Sequence, residues 1–200
     1  SKHHDGVTLW DAPGTGTRNT VHRGPRTDIM GEIAAAARRN GVRFSVYYSG
    51  GLDWGLHTQP PIQTFTDVFT FRPNDAAYSL YAYRHVMDLV ERYEPGILWN
   101  DIEWPDFSKL GDQSVDYSLA KLFHEYYQAV PDGLVNDRWG NTHWDYKTSE
   151  YQAFTGNESG QAWENCRGIG MSFGYNKFET EEHSFSPESA LRYFIDIVHR

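Results

Sequence analysis

The segment Ile97 to Pro105, ILWNDIEWP, sets Asp101 and Glu103 two residues apart, between Trp99 and Trp104 and directly after an apolar run. A solvated turn has no need of flanking tryptophans, and a core strand does not tolerate unpaired acids. A carboxylate at the end of an apolar strand, beside aromatics, suits retaining glycoside hydrolysis. One carboxylate attacks the anomeric carbon, and a second carboxyl, about 5–5.5 Å away, protonates the leaving oxygen. Asp101 takes the nucleophile's place. The second acid must come from another strand end or loop: Glu103, Asp137, Asp145, Glu150, Glu158 and Glu164 are the candidates. Glu103 would crowd the same side of a sugar as Asp101 and fits better as a supporting residue that orients its neighbours or pairs with a cation. Glu150, within KTSEYQ, is preferred because it stands among aromatics, a setting that suits a general acid.

Other polar groups could surround such a pair. HHDG, His3 to Gly6, invites a metal reading, but adjacent strand residues point to opposite faces and no HExxH spacing or carboxylate cluster accompanies them. Hydrogen bonding of His3 and His4 to substrate hydroxyls is the more natural use, against the alternative of satisfied structural histidines. Arg138, in NDRW, could donate to a sugar hydroxyl or pair with Asp137. Tyr47, in YYSGGLDW, falls at a strand end. No metal or organic cofactor is expected, and no Ser-His-Asp pattern is legible.

Composition supports a carbohydrate ligand. Phe, Trp and Tyr make up 16% of the 200 residues, and many lie beside polar residues, as in NDRWGNTHWDY and SFGYN. Flat apolar faces next to hydrogen-bonding groups fit a sugar ring. The net charge of −9, with Lys and Arg scattered, argues against nucleic acid or an anionic membrane as partner. The single cysteine, Cys166, excludes an intrachain disulfide framework and reads as a small buried residue. No apolar run approaches the ~20 residues of a membrane helix, and no signal peptide is legible. The compartment stays open.

Strands and helices alternate along the chain. Strands are expected at Gly6 to Trp10, Val42 to Ser49, Ile97 to Asp101, Leu134 to Trp139 and around Gln161 to Ser172. Helices are expected within Asp28 to Gly41, Asp75 to Gly96, Ser114 to Val130 and Ser186 to Arg200. Such an order implies an α/β fold with a parallel sheet and a site at the strands' carboxyl ends. No glycine-rich phosphate loop follows any strand, so a partial (β/α) TIM-type barrel is expected rather than a doubly wound sheet, as one incomplete catalytic domain over residues 1–200 with no second domain.

Seven segments in order, SKHHDGVTLWD, VHRGPRTDIMGEI, VYYSGGLDW, ILWNDIEWP, VNDRWG, KTSEYQ and RGIGMSFGYN, resemble the α-L-fucosidases of glycoside hydrolase family 29. That resemblance implies a retaining enzyme on a (β/α) barrel, with Asp101 as nucleophile and Glu150 as general acid/base. It matches the family's fucose-binding groups to His3, His4, Tyr47, Arg138 and Phe173, with Trp99 beside them. Family members carry further barrel units before HHDG and continue beyond the last helix. The open sheet edge and helix faces this implies are expected to be covered by self-association or by a neighbour. The implied substrate is a fucosylated oligosaccharide or glycoconjugate; the alternatives are a fucose-binding relative without turnover and a fragment of a longer enzyme.

Overall fold

A computed structural model describes residues 1–56, 62–151 and 160–199. It divides into two compact units, residues 1–144 and 145–200. The first is a three-stranded parallel sheet covered by helices. Its strands are β1 (Val46–Ser49), β2 (Ile97–Asp101) and β3 (Leu134–Val135), in the order β1-β2-β3. α1 (Ile29–Arg39) precedes β1, α2 (Phe65–Thr70) and α3 (Ala76–Tyr93) lie between β1 and β2, and α4 (Asp106–Leu110) and α5 (Leu119–Ala129) between β2 and β3.

The long helices start where side chains can cap them. Asp28 accepts from the Gly31 amide, Asp75 from Tyr78 and Ser118 from Lys121, each satisfying an otherwise orphaned donor. α3 stops at Glu94, left-handed at φ 48° just before Pro95. Its buried face, Ala82, Val86, Leu89, Val90 and Tyr93, repeats at helical spacing. Those residues meet Val46 and Tyr48 of β1, Leu98 of β2 and Val135 of β3 in a core that also takes Trp10, Trp104, Tyr126 and Trp139.

Strand alternation sorts the remaining residues. Val46, Tyr48, Leu98 and Asn100 are buried, whereas Tyr47, Trp99 and Asp101 alternate with them on the opposite face. The parallel register sets Tyr47 beside Trp99 and Ser49 beside Asp101.

The strands at Val42 to Ser49 and Gln161 to Ser172 are shorter than expected, and two others differ more. Gly6 to Trp10 forms no strand: Thr8 makes isolated bridges with Lys2 and Asn19, and it is Lys2 that pairs with Tyr48, in parallel beside β1. His3 and His4 therefore follow a strand-like position and lie in a turn closed by the Gly6 amide on the His3 carbonyl. The third strand ends at Val135 because the Asn136 side chain takes over the pairing, accepting from the Asn100 amide and donating to the Asn100 carbonyl. In the second unit β4 (Lys147–Glu150), in a region for which no strand or helix was expected, pairs in parallel with β5 (Trp163–Cys166). α2 and α4 were also not anticipated; each is six residues or fewer.

The second unit ends in α6 (Pro187–His199). Arg167 spreads its guanidinium over Tyr151, Phe185 and Tyr193, and the Tyr193 hydroxyl donates to Asn165 on β5. Leu191, Phe194, Ile195 and Val198 form an exposed apolar stripe on α6. Among the described residues no helix is long and apolar enough to cross a membrane.

Candidate active site

Asp101 ends β2, its side chain 14% exposed, with donors converging on both oxygens. The Tyr47 hydroxyl donates to Oδ2 at 2.7 Å; the Ile102 amide, at 3.0 Å, and Arg138 Nη1, at 3.4 Å, reach Oδ1. Two aligned donors and a cation fix the orientation of a carboxylate that still touches solvent. Beside it, His3, Tyr47 and Trp99 form a ladder of near-parallel rings, with centroid separations of 5.6 and 5.3 Å, and the Arg138 guanidinium lies over the Trp99 ring, 5.1 Å from its centroid. A carboxylate next to an aromatic shelf gives a sugar ring both an apolar platform and a reactive oxygen.

The turn after Asp101 is strained. Ile102 and Glu103 are both left-handed, at φ 58° and 62°, a conformation costing about 1–3 kcal/mol per non-glycine residue. Glu103 holds it in place: its carboxylate meets Lys109 Nζ at 2.5 Å and Arg72 Nη2 at 3.2 Å, and both cations also reach Asp106. Its carbonyl accepts from Asn100 Nδ2. The turn also presses on Gly50 and Gly51, where a side chain has no room: a Cβ on Gly51 would stand 1.7 Å from the Ile102 carbonyl oxygen. GG in YYSGGLDW is thus explained by close backbone approach.

His3 and His4, expected to diverge as strand neighbours, instead lie side by side with ring centroids 4.0 Å apart, because the chain turns there. His4 Nδ1 is 2.7 Å from Ser49 Oγ, and Nε2 faces Asp101 Oδ2 at 3.9 Å. Burial, reinforced by His3 and opposed by Asp101, lowers the His4 pKa to about 4, so the ring is neutral at pH 7. Among the described residues no group of three His, Cys, Asp or Glu is arranged to hold a metal ion.

A network that sequence reasoning missed pins the histidine turn to the site. Lys2 and Asp53 are fully buried 3.6 Å apart, Arg18 reaches Asp53 at 3.2 Å, and Lys2 Nζ donates to the Leu52 carbonyl. Gly6, at φ 75°, passes so close to Asp53 that a Cβ would stand 2.1 Å from its Oδ1. The signal was present as lone charges inside otherwise aromatic motifs, Lys2 before HH and Asp53 in GGLDW.

Of the remaining candidates, Asp137 lies in the first unit, directly after Asn136, and the others lie in the second. Glu150 ends β4 beside Cys166 of β5, and Phe173 is exposed with its ring edge-on to Tyr151 at 4.8 Å. Glu164 accepts from Thr148 across the two strands. Glu158 lies outside the described residues.

The family model for alpha-L-fucosidase matches residues 1–200. An alpha-L-fucosidase from Dictyostelium discoideum is 28% identical over 215 residues, covering 99% of this chain and 42% of the relative. The tissue alpha-L-fucosidase of Bos taurus is 32% identical, covering 96% and 40%. Among solved structures, the Thermotoga maritima alpha-fucosidase in complex with a mechanism-based inhibitor superposes with a TM-score of 0.86 at 47% identity, covering 98% of this chain and 43% of that one. The unliganded alpha-L-fucosidase of Lactobacillus casei, at 20% identity and a TM-score of 0.70, shares the fold. The chain thus spans less than half the length of the curated relatives it matches here.

Proposed function

Since the chain belongs to the alpha-L-fucosidase family, we propose that it carries the nucleophile and the acid/base of a retaining fucosidase, within a partial (β/α) barrel that forms one catalytic domain. The observation that carries the reading is Asp101, solvent-reachable and oriented by Tyr47, Arg138 and the Ile102 amide beside the His3-Tyr47-Trp99 shelf.

In the proposed reaction an Asp101 oxygen forms a bond to the anomeric carbon of a terminal α-L-fucosyl residue as the bond to the leaving oxygen breaks. Glu150 gives its proton to that oxygen. Glu150 then takes a proton from water, whose oxygen attacks the same carbon and releases Asp101, with net retention. His3, His4, Tyr47 and Arg138 receive the ring hydroxyls; Trp99 and Phe173 supply apolar surface for the ring and its methyl group. The substrate is a fucosylated oligosaccharide or glycoconjugate, and the scheme needs no cofactor.

The α6 stripe supports the expectation that self-association, or a neighbouring chain, covers apolar surface. Sedimentation at micromolar concentration should show an assembly; a strict monomer contradicts it. The function is tested by following hydrolysis of an aryl α-L-fucoside by NMR. The expected first product is α-L-fucose. First release of β-L-fucose would refute retention, and a folded chain that neither hydrolyses the substrate nor binds L-fucose would refute the proposal.

A further inference from the structure

Ser49 has no part in the scheme above, yet it is fully buried at the carboxyl end of β1, in register with Asp101. Among the described residues its hydroxyl has two hydrogen-bonding neighbours: His4 Nδ1 at 2.7 Å and the Leu52 carbonyl oxygen at 3.2 Å. A carbonyl only accepts, so the Ser49 proton that makes the second bond points at Leu52. The serine oxygen is then left to accept, and the donor must be Nδ1–H of His4. Leu52 has capacity for this, since a carbonyl oxygen has two lone pairs and Lys2 Nζ occupies one at 2.8 Å. The opposite arrangement, Ser49 donating to Nδ1, leaves two buried oxygens facing each other with no proton between them. It would also place Nε2–H 3.9 Å from Asp101 Oδ2, beyond hydrogen-bond reach.

We propose that Ser49 is a positioning residue that locks His4 in the Nδ1–H tautomer, so that Nε2 presents a lone pair beside the Asp101 carboxylate as an acceptor for a ligand hydroxyl. The assignment of that hydroxyl to fucose rests on the function proposed above; the tautomer does not. With His4 neutral at pH 7, the ring has one proton, and Ser49 decides which nitrogen carries it. Two consequences follow. His4 does not compete with Tyr47 for Oδ2 of the nucleophile. The site also demands an O–H donor at Nε2, and a sugar lacking one leaves two acceptors facing each other.

Long-range 1H–15N correlation spectra of the 15N-histidine-labelled chain at pH 7, without ligand, read the tautomer directly. His4 is assigned as the resonance lost in His4→Gln. The expected spectrum shows protonated Nδ1 and bare Nε2 for His4 in the parent. In Ser49→Ala the population should move toward Nε2–H, drawn by Asp101, and L-fucose should bind roughly tenfold more weakly, the order expected for one hydrogen bond. A parent spectrum with Nε2–H overturns the proposal, as does an unchanged tautomer in a folded Ser49→Ala. If that variant fails to fold, the parent spectrum alone decides. An Nδ1–H spectrum in a chain that does not bind L-fucose supports the tautomer and counts against the fucosidase reading.

Discussion

The chain should lose stability in acid through one buried histidine, and the size of that loss can be worked from its surroundings. His85 lies inside α3 at 0% exposure. Its Nε2–H donates to the Pro13 carbonyl at 2.8 Å, and the Tyr48 hydroxyl donates to Nδ1 at 3.1 Å, so the neutral ring is fully satisfied. Burial, with Lys2 and Arg18 adding positive charge nearby, lowers its pKa from 6.5 to about 3, against a smaller opposing effect of the Pro13 carbonyl. The unfolded chain therefore binds a proton below pH 6.5 that the folded chain refuses until about pH 3. The contribution of His85 is fully present above pH 6.5 and is lost as pH falls through that window. Between pH 7 and pH 4 the loss amounts to about 3 kcal/mol. Urea denaturation of the parent and of His85→Leu at both pH values isolates this term, because the carboxylates titrate alike in the two proteins. The variant should be the less stable at pH 7, having orphaned the Tyr48 hydroxyl, and the gap should shrink by about 3 kcal/mol at pH 4. A gap that stays constant would refute the reasoning.

Two other outcomes follow from the site. Tyr47→Phe removes the 2.7 Å donor to Asp101 Oδ2 but keeps the ring between His3 and Trp99; kcat/KM should fall by roughly ten- to a hundredfold while Tm stays near the parent's, and unchanged kinetics would count against the orienting role. Glu103→Gln takes a charge from Lys109 and Arg72, which are 4% and 5% exposed and, among the described residues, keep only Asp106 as their other carboxylate partner; chemical denaturation should show a loss of about 1–3 kcal/mol, and no loss would mean that the network does not secure the strained turn.

The parts of this architecture legible in the sequence are those in which pattern and packing agree. β2 has the expected bounds, and α1, α3 and α6 fall within their expected segments, because apolar spacing and a capping residue coincide there. The role of Gly6 to Trp10 was misread because a β-like pattern does not say what it pairs with; pairing beside β1 went to Lys2, and Trp10 was used to fill the core. β4 was missed because KTSE carries no apolar alternation and depends on β5 for its pairing. Within the site, the types and spacing of Asp101, Tyr47 and Trp99 were legible from strand ends. The left-handed turn at Ile102 and Glu103, the adjacent histidine rings and the buried Lys2-Asp53-Arg18 network depend on loops packed from distant segments, which no local pattern encodes.

The most direct test of Asp101 as nucleophile is chemical rescue. Asp101→Gly, given an aryl α-L-fucoside, should be inactive alone and should yield β-fucosyl azide when azide is added. Azide would then occupy the space of the lost carboxylate, attack the anomeric carbon from the same face and, in the absence of an enzyme ester, remain attached. Full hydrolytic activity in the variant, or a folded variant that azide does not rescue beside an active parent, would contradict the account.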